Sequence, residues 1–178
     1  HGSSPWTGTD PIILSGQIMT ALQLIPSRQL DLTTAPAVIS VGRIRGGNRG
    51  NIIPSQATME GTIRTFDRSM REELLRRVRR TAHKIAESAG ASADVTINPY
   101  APVVYNAPEL TEQMVPTLEW AAGEENVREI RRLTIAEDFS YFQEEVPGMY
   151  FFLGINKEGV GAWEAPMNHS PDFYVNED

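Results

Sequence analysis

His169 is the residue whose sequence surroundings point most directly to chemistry. It follows a continuous apolar run, Met149–Ile155, and a glycine-containing loop. Such a run is typical of a strand buried on both faces of a mostly parallel sheet, and open α/β sheets bind ligands beyond the carboxyl ends of their strands. A neutral imidazole at that place is a good zinc ligand, and Asn168 or Ser170 beside it offers a group that fixes the ring tautomer. The alternative, which is the commoner case for a lone histidine, is a hydrogen-bonded loop residue without a ligand.

A glycine-rich segment, Gly46–Pro54, is the second candidate. Three of its first five residues are glycines, which allow positive φ or a close approach of the backbone to another group. The segment is therefore predicted to be a loop that touches a ligand or a neighbouring group through its polar side chains, Asn48, Arg49 and Asn51. A long flexible connection is the alternative.

Two predicted strands, Ala37–Ile44 and Ala57–Thr65, flank this loop. The second alternates apolar positions such as Met59 and Ile63 with polar ones, which is the period of a half-buried antiparallel strand. One amphipathic helix is predicted before the strand pair and another after it.

The first predicted helix runs from Pro11 to Pro26, with Asp10 as its N-cap. The second runs from about Ser69 to Ala89 and stops at Gly90.

A third strand is predicted at Ala93–Asn98, where apolar and polar residues alternate. The order helix, strand, strand, helix, strand lacks only the first strand of a βαββαβ sandwich. A sheet without that strand would leave an edge open, so we expect a strand before His1 and a chain that begins inside a longer protein.

The second half of the chain has a different character. A proline-rich linker leads to a predicted helix over Pro108–Ala122, bent at Pro116. Thr134 and Glu137 have capping-box spacing before a short predicted helix. The buried strand at Met149–Ile155 then needs neighbouring strands that this chain does not obviously supply.

The composition excludes several classes of function. The chain has 178 residues, a formal net charge of -7 and a pI near 5.0, which argues against nucleic acid or an acidic membrane as partner. It has no cysteine, so disulfides and thiolate metal sites are excluded within it, and the compartment is left open. No apolar run approaches membrane-spanning length.

Seven short motifs, in this order and spacing, resemble the dinuclear-zinc amidohydrolases, in the branch of hippurate hydrolase, N-acyl-amino-acid amidohydrolases and auxin-conjugate hydrolases. The resemblance covers nearly the whole chain. The motifs are His1–Trp6, Asp10–Ile12, Gly46–Pro54, Met59–Phe66, Ala136–Ser140, Val146–Gly148 and Asn168–Pro171.

The resemblance implies an α/β protein of two parts. Residues 1–101 correspond to the α+β lid or dimerisation domain, a ferredoxin-like βαββαβ unit that here lacks its first strand. Residues 102–178 correspond to the C-terminal part of an α/β metallopeptidase-like catalytic domain.

The resemblance also implies roles for individual residues. His169 corresponds to the last ligand of a site for two divalent metal ions, zinc first, with manganese, cobalt and nickel as alternatives. His1 corresponds to a lid histidine that polarises the scissile carbonyl, commonly in the partner subunit's active site. Asn51 corresponds to a substrate-binding lid asparagine, and Arg64, on the strand behind it, is assigned to substrate binding as well.

Glu137 and Asp138 fall in a loop near the site, although helix capping explains Glu137 equally well.

The function implied is metal-dependent hydrolysis of the amide bond of N-acyl amino acids or small peptide-like amides, in a homodimer formed through the lid. The other metal ligands and the general base lie upstream of the lid in this family, so we expect residues 1–178 alone to be inactive. The alternative is a non-catalytic ferredoxin-like module for small-molecule binding or dimerisation. The apolar run Met149–Ile155 disfavours this alternative, because a self-contained module would not carry part of the hydrophobic core of a second domain.

Overall fold

The computed structural model describes residues 1–161 and 163–177. The chain divides into two compact units. The first comprises His1–Val103 and Glu129–Ser140, and the second comprises Val104–Arg128 and the residues from Tyr141 on. No helix among the described residues is long and apolar enough to cross a membrane.

Helix α1, Pro11–Gln29, opens the first unit as predicted. The Asp10 side chain caps it by accepting from the backbone N–H groups of Ile12 at 2.9 Å and Ile13 at 3.4 Å. One face is buried, through Leu14, Ile18, Leu22 and Ile25. The helix continues three residues past Pro26, because the proline removes only one backbone bond close to the C-terminal end.

Strands β1, Ala37–Gly46, and β2, Ala57–Thr65, form an antiparallel pair. Ile39 lies opposite Ile63, and both contact the core formed with the helices. The register shifts between Val41 and Arg43, so that Gly42 forms a β-bulge. The predicted strand pair and its two faces are confirmed.

Helix α2, Arg68–Ser88, packs on α1 and on the same face of the sheet. Its buried residues are spaced four apart over most of its length and include Leu74, which has no exposed surface. At its start, the Ser69 hydroxyl and then the Met70 N–H donate to the Asp67 carboxylate and lower its pKa below the usual value. Gly90 follows the helix with φ of 71°.

The predicted third strand at Ala93–Asn98 is wrong as secondary structure. Ala93, Val95 and Ile97 are half-buried and the residues between them are exposed, so the predicted alternation is present. The sheet of the described residues nevertheless contains only β1 and β2. A strand also requires a hydrogen-bonded neighbour, which alternation of side chains does not supply.

In the second half of the chain, α3 spans Pro108–Ala122, as predicted, with Pro116 inside it. Helix α4, Phe139–Glu145, confirms the short helix but not its predicted start. The helix begins five residues after Thr134, so Thr134 does not cap it.

The prediction of a buried strand at Met149–Ile155 is also wrong. The run has no regular secondary structure, and the exposed fractions are 56% for Phe151, 51% for Phe152 and 80% for Leu153. Hydrogen bonds hold both of its ends: Asn106 donates to and accepts from the backbone of Tyr150 at 2.8 Å, and the Asn176 N–H donates to the Ile155 carbonyl at 2.9 Å. A strand buried on both faces needs strands beside it, and the sheet of the described residues contains no strand from the second unit.

Candidate functional site

The predicted loop at the tip of the β1–β2 hairpin is held in place by packing. A Cβ added to Gly46 would lie 3.2 Å from Cγ1 of Ile12, on the first turn of α1, and Gly47 has φ of 70° beside Pro54. Within the loop, the Ile52 N–H donates to the Arg49 carbonyl at 3.2 Å. These contacts favour the ordered loop over the flexible connection.

The N-terminal turn is attached to this loop. The Gly2 N–H donates to the Asn51 carbonyl at 2.8 Å, and the Ser4 N–H donates to the His1 carbonyl at 2.9 Å. A Cβ on Gly2 would lie 3.1 Å from the Asn51 oxygen, so the approach is close enough to favour glycine. The structure thus brings together two predicted site residues, His1 and Asn51.

The imidazole of His1 is exposed, and among the described residues its hydrogen bonds are made at Nδ1 alone. Its Nδ1 lies 2.8 Å from the Ser3 hydroxyl and accepts from the Ser3 N–H at 3.2 Å. This contact was not predicted from the sequence. The signal for it was the short turn His1–Ser4, whose serine at the third position is a residue type that bonds local groups.

Arg64 is not brought to this tip. It lies opposite Val38, whereas the tip end of the ladder is the pair Ala57 and Gly46. The seven residue-to-residue steps from Ala57 to Arg64 span about 24 Å at about 3.4 Å per step. Its side chain lies on the sheet face turned away from the helices, on the same face as Arg43 and Glu60, which form an ion pair.

His169 lies in the second unit, in an exposed turn. Its φ is 75°, the only positive value among the described non-glycine residues. The Ser170 N–H donates to the Met167 carbonyl at 3.0 Å, and the Ser170 hydroxyl accepts from the Asp172 N–H at 3.2 Å. In the described chain no three His, Cys, Asp or Glu side chains are grouped so that they could hold a metal ion.

Glu137 and Asp138 precede α4. The Glu137 carbonyl accepts from the Ser140 N–H at 3.3 Å and from the Ser140 hydroxyl at 2.7 Å. Glu137 is half-buried and Asp138 is exposed. The backbone of Glu137 therefore helps to start the helix, and the role of both carboxylates stays a prediction.

Comparison with known proteins identifies the family of the chain. The family model described as "Peptidase dimerisation domain" matches residues 1–90. Bacillus subtilis YXEP, described as a dinuclear metal binding peptidase from the M20 family, superposes with a TM-score of 0.69 at 30% identity over 94% of this chain and 41% of that one. The chain belongs to the M20 peptidase family.

Relatives that match the whole chain include a carboxypeptidase and a deacetylase. Thermostable carboxypeptidase 2 of Saccharolobus solfataricus is 39% identical, and N-acetylcysteine deacetylase of Bacillus subtilis is 33% identical. The chain spans 44% of the length of each. The predicted resemblance and the α+β lid are confirmed, and the division at residue 101 stays a prediction.

Proposed function

We propose that residues 1–101 form the dimerisation lid, and residues 102–178 the C-terminal part of the catalytic domain, of a metal-dependent amidohydrolase. Its reaction is hydrolysis of the amide bond of N-acyl amino acids or small peptide-like amides. The observation that carries the proposal is the bond from Gly2 to Asn51, which joins the histidine and the asparagine of the lid at one tip. The relative named as an N-acetylcysteine deacetylase supports this substrate class.

The charge of the lid supports an anionic substrate. Residues 1–101 contain twelve Arg and Lys and eight Asp and Glu, a formal charge of +4, although the whole chain carries -7. Arg45 precedes the tip loop and Arg49 lies within it. Both are exposed and form no ion pair with another described residue. Since an N-acyl amino acid carries a carboxylate, this field raises its local concentration and its rate of association.

His1 is proposed to donate a hydrogen bond to the oxygen of the scissile carbonyl as negative charge develops there. A donor that acts mainly in the transition state contributes about 3 kcal/mol, which corresponds to about a hundredfold in kcat. His1 is exposed on the tip of its own unit. This exposure supports action on a substrate held by the partner subunit.

Arg64, the second residue proposed to bind substrate, lies far from the tip that carries Asn51. Its separation of about 24 Å along β2 from the tip end of the ladder is too large for one small substrate to reach both ends. If Arg64 contacts substrate, the separation favours a different substrate molecule from the one reached by His1 and Asn51 of the same chain.

The metal site is proposed to hold two divalent ions, zinc first, with manganese, cobalt or nickel as alternatives. His169 is the one ligand expected from this chain, and its sparsely populated backbone conformation is typical of residues held for a function. The described residues do not fit a metal pair on their own, because they offer no group of three ligands. We therefore expect no hydrolysis by residues 1–178 alone.

The partner is proposed to be a second copy, bound through the outer edge of β1 and the adjacent face of α1. These two elements line an open apolar groove, in which Leu24 is 48% exposed and Met19 is 37% exposed. The Gln23 side chain donates to the edge carbonyl of Ile39 at 3.2 Å. An unpaired strand edge beside apolar helix residues suits an isologous interface between identical chains.

Mixing two inactive variants of the full-length enzyme tests the proposal. His1→Ala removes the donor and His169→Ala removes the metal ligand, so each variant alone should be about a hundredfold less active or worse. After subunit exchange, half of the dimers are mixed, and one of their two sites receives both intact histidines. An equal mixture should therefore recover about a quarter of the wild-type activity.

The controls are the two unmixed variants and a direct count of mixed dimers with two different affinity tags. Mixed dimers without recovered activity would place His1 in its own subunit or outside the reaction. A wild-type enzyme that cleaves no N-acyl amino acid with any divalent metal would refute the proposed reaction itself.

A further inference from the structure

The contact between Ser3 and His1 fixes which ring nitrogen carries the proton. A backbone N–H can only donate, so the bond from the Ser3 N–H to Nδ1, at 3.2 Å, requires a lone pair on Nδ1. A neutral imidazole has one N–H and one acceptor nitrogen. The proton of the neutral ring therefore lies on Nε2.

The Ser3 hydroxyl also favours the tautomer with its proton on Nε2. It lies 2.8 Å from Nδ1. Because Nδ1 already accepts from the backbone N–H, the hydroxyl is compatible only as a second donor to the same lone pair. Two donors from one residue thus converge on Nδ1.

The turn that carries Ser3 is held at both ends. The Ser4 N–H closes it onto the His1 carbonyl at 2.9 Å, and the Gly2 N–H anchors it to the Asn51 carbonyl at 2.8 Å. These two backbone hydrogen bonds, together with the bond from the Ser3 N–H to Nδ1, therefore hold Ser3 beside the ring.

We propose that Ser3 is a positioning residue that holds His1 in the Nε2–H tautomer, so that the neutral ring presents its single donor at Nε2. The use of that donor in the reaction rests on the proposed function, whereas the tautomer does not. The ring does not need to be protonated to donate, so the enzyme keeps this donor at alkaline pH.

The tautomer is measured directly by imidazole ¹⁵N NMR on the 178-residue chain, with a short extension before His1 and at a pH where all rings are neutral. The chain has three histidines, and the exposed His83, which makes no hydrogen bond to another described residue, is the internal reference. His1 should be more completely in the Nε2–H form than His83. Ser3→Thr should keep this form, because threonine retains both donors.

Ser3→Asp should reverse the tautomer, because a carboxylate accepts from Nδ1–H and cannot donate. Ser4→Asp is the matched control, since it adds the same charge one residue further along and leaves both Ser3 donors in place. A His1 ring with the same tautomer mixture as His83, or a Ser3→Asp ring still in the Nε2–H form, would overturn the proposal.

In the full-length enzyme, Ser3→Asp should lower kcat at least tenfold with unchanged metal content, and Ser4→Asp should lower it less than threefold. Equal losses in both variants would mean that charge rather than the tautomer is responsible, and the positioning role would be wrong. An enzyme without amidohydrolase activity in any form would refute the proposed function and leave the NMR result standing.

Discussion

Gly61 lies in close contact with the backbone of β1, and an alanine there should destabilise the first unit strongly. A Cβ on Gly61 would lie 2.2 Å from the Ser40 carbonyl oxygen and 3.2 Å from Cα of Val41. Comfortable contacts of this kind need about 3.5 Å, so the strands must separate by roughly 1 Å. No rotamer can relieve a clash between Cβ and backbone.

The magnitude follows from two costs. Overpacking of this size costs about 1–3 kcal/mol, and each ladder hydrogen bond weakened by the separation costs about 1 kcal/mol more. We expect Gly61→Ala to lower the free energy of unfolding by about 3 kcal/mol. For a unit of this size, that corresponds to a fall in Tm of about 10 °C.

Thermal unfolding of the 178-residue chain, followed by far-ultraviolet circular dichroism, measures this effect. Gly42→Ala is the matched control, because Gly42 lies in the same strand pair and an added Cβ meets no atom within 4 Å. Its Tm should change by less than about 2 °C, since substitutions away from such contacts usually cost under about 0.5 kcal/mol. Similar Tm values for the two variants would refute the close approach of β2 to Ser40.

Three further outcomes are expected. His169→Ala in the full-length enzyme should lower bound zinc at least tenfold, measured by atomic absorption; wild-type metal content would exclude His169 as a ligand. Leu24→Glu should convert a dimer to a monomer in sedimentation, because it buries a charge in the proposed interface. An unchanged dimer would show that Leu24 lies outside the interface. Asp67 contributes stability above its unfolded pKa, near 3.8, and loses it as the pH falls through its lowered folded pKa. The difference in Tm between wild type and Asp67→Asn should therefore decrease below about pH 4. A difference that stays constant with pH would contradict the lowered pKa.

The helices and the strand pair were predictable because their signals are local. Asp10 and Pro11 mark the start of α1, Gly90 marks the end of α2, and the alternation in β2 predicted its bounds without error. Each signal depends on residues within a few positions of one another.

The two strands that failed show what local patterns omit. The alternation at Ala93–Asn98 correctly predicted which side chains are half-buried, and the apolar character of Met149–Ile155 was read as burial on two sides. Both assignments needed a neighbouring strand, and the identity of a neighbour is set by the three-dimensional arrangement.

The geometry of the candidate site likewise depends on contacts between distant parts of the chain, which local patterns do not predict. His1 and His169 were singled out by resemblance and by position after an apolar run, but the bond between Gly2 and Asn51 joins loops about fifty residues apart. The distance of Arg64 from the tip likewise depends on the register of β1 against β2. These relations appear only when the chain is folded.

The bulge at Gly42 limits how copies of this chain can assemble. A strand added along β1 would pair regularly as far as Val41 and then lose its hydrogen-bond register, because one residue of β1 is left over. Sliding the added strand by two residues cannot restore the match, so one register is selected over its neighbours. The same irregularity interrupts the continuous ladder that stacked sheets of a fibril require. The exposed edge of β1 is thereby protected against open-ended aggregation.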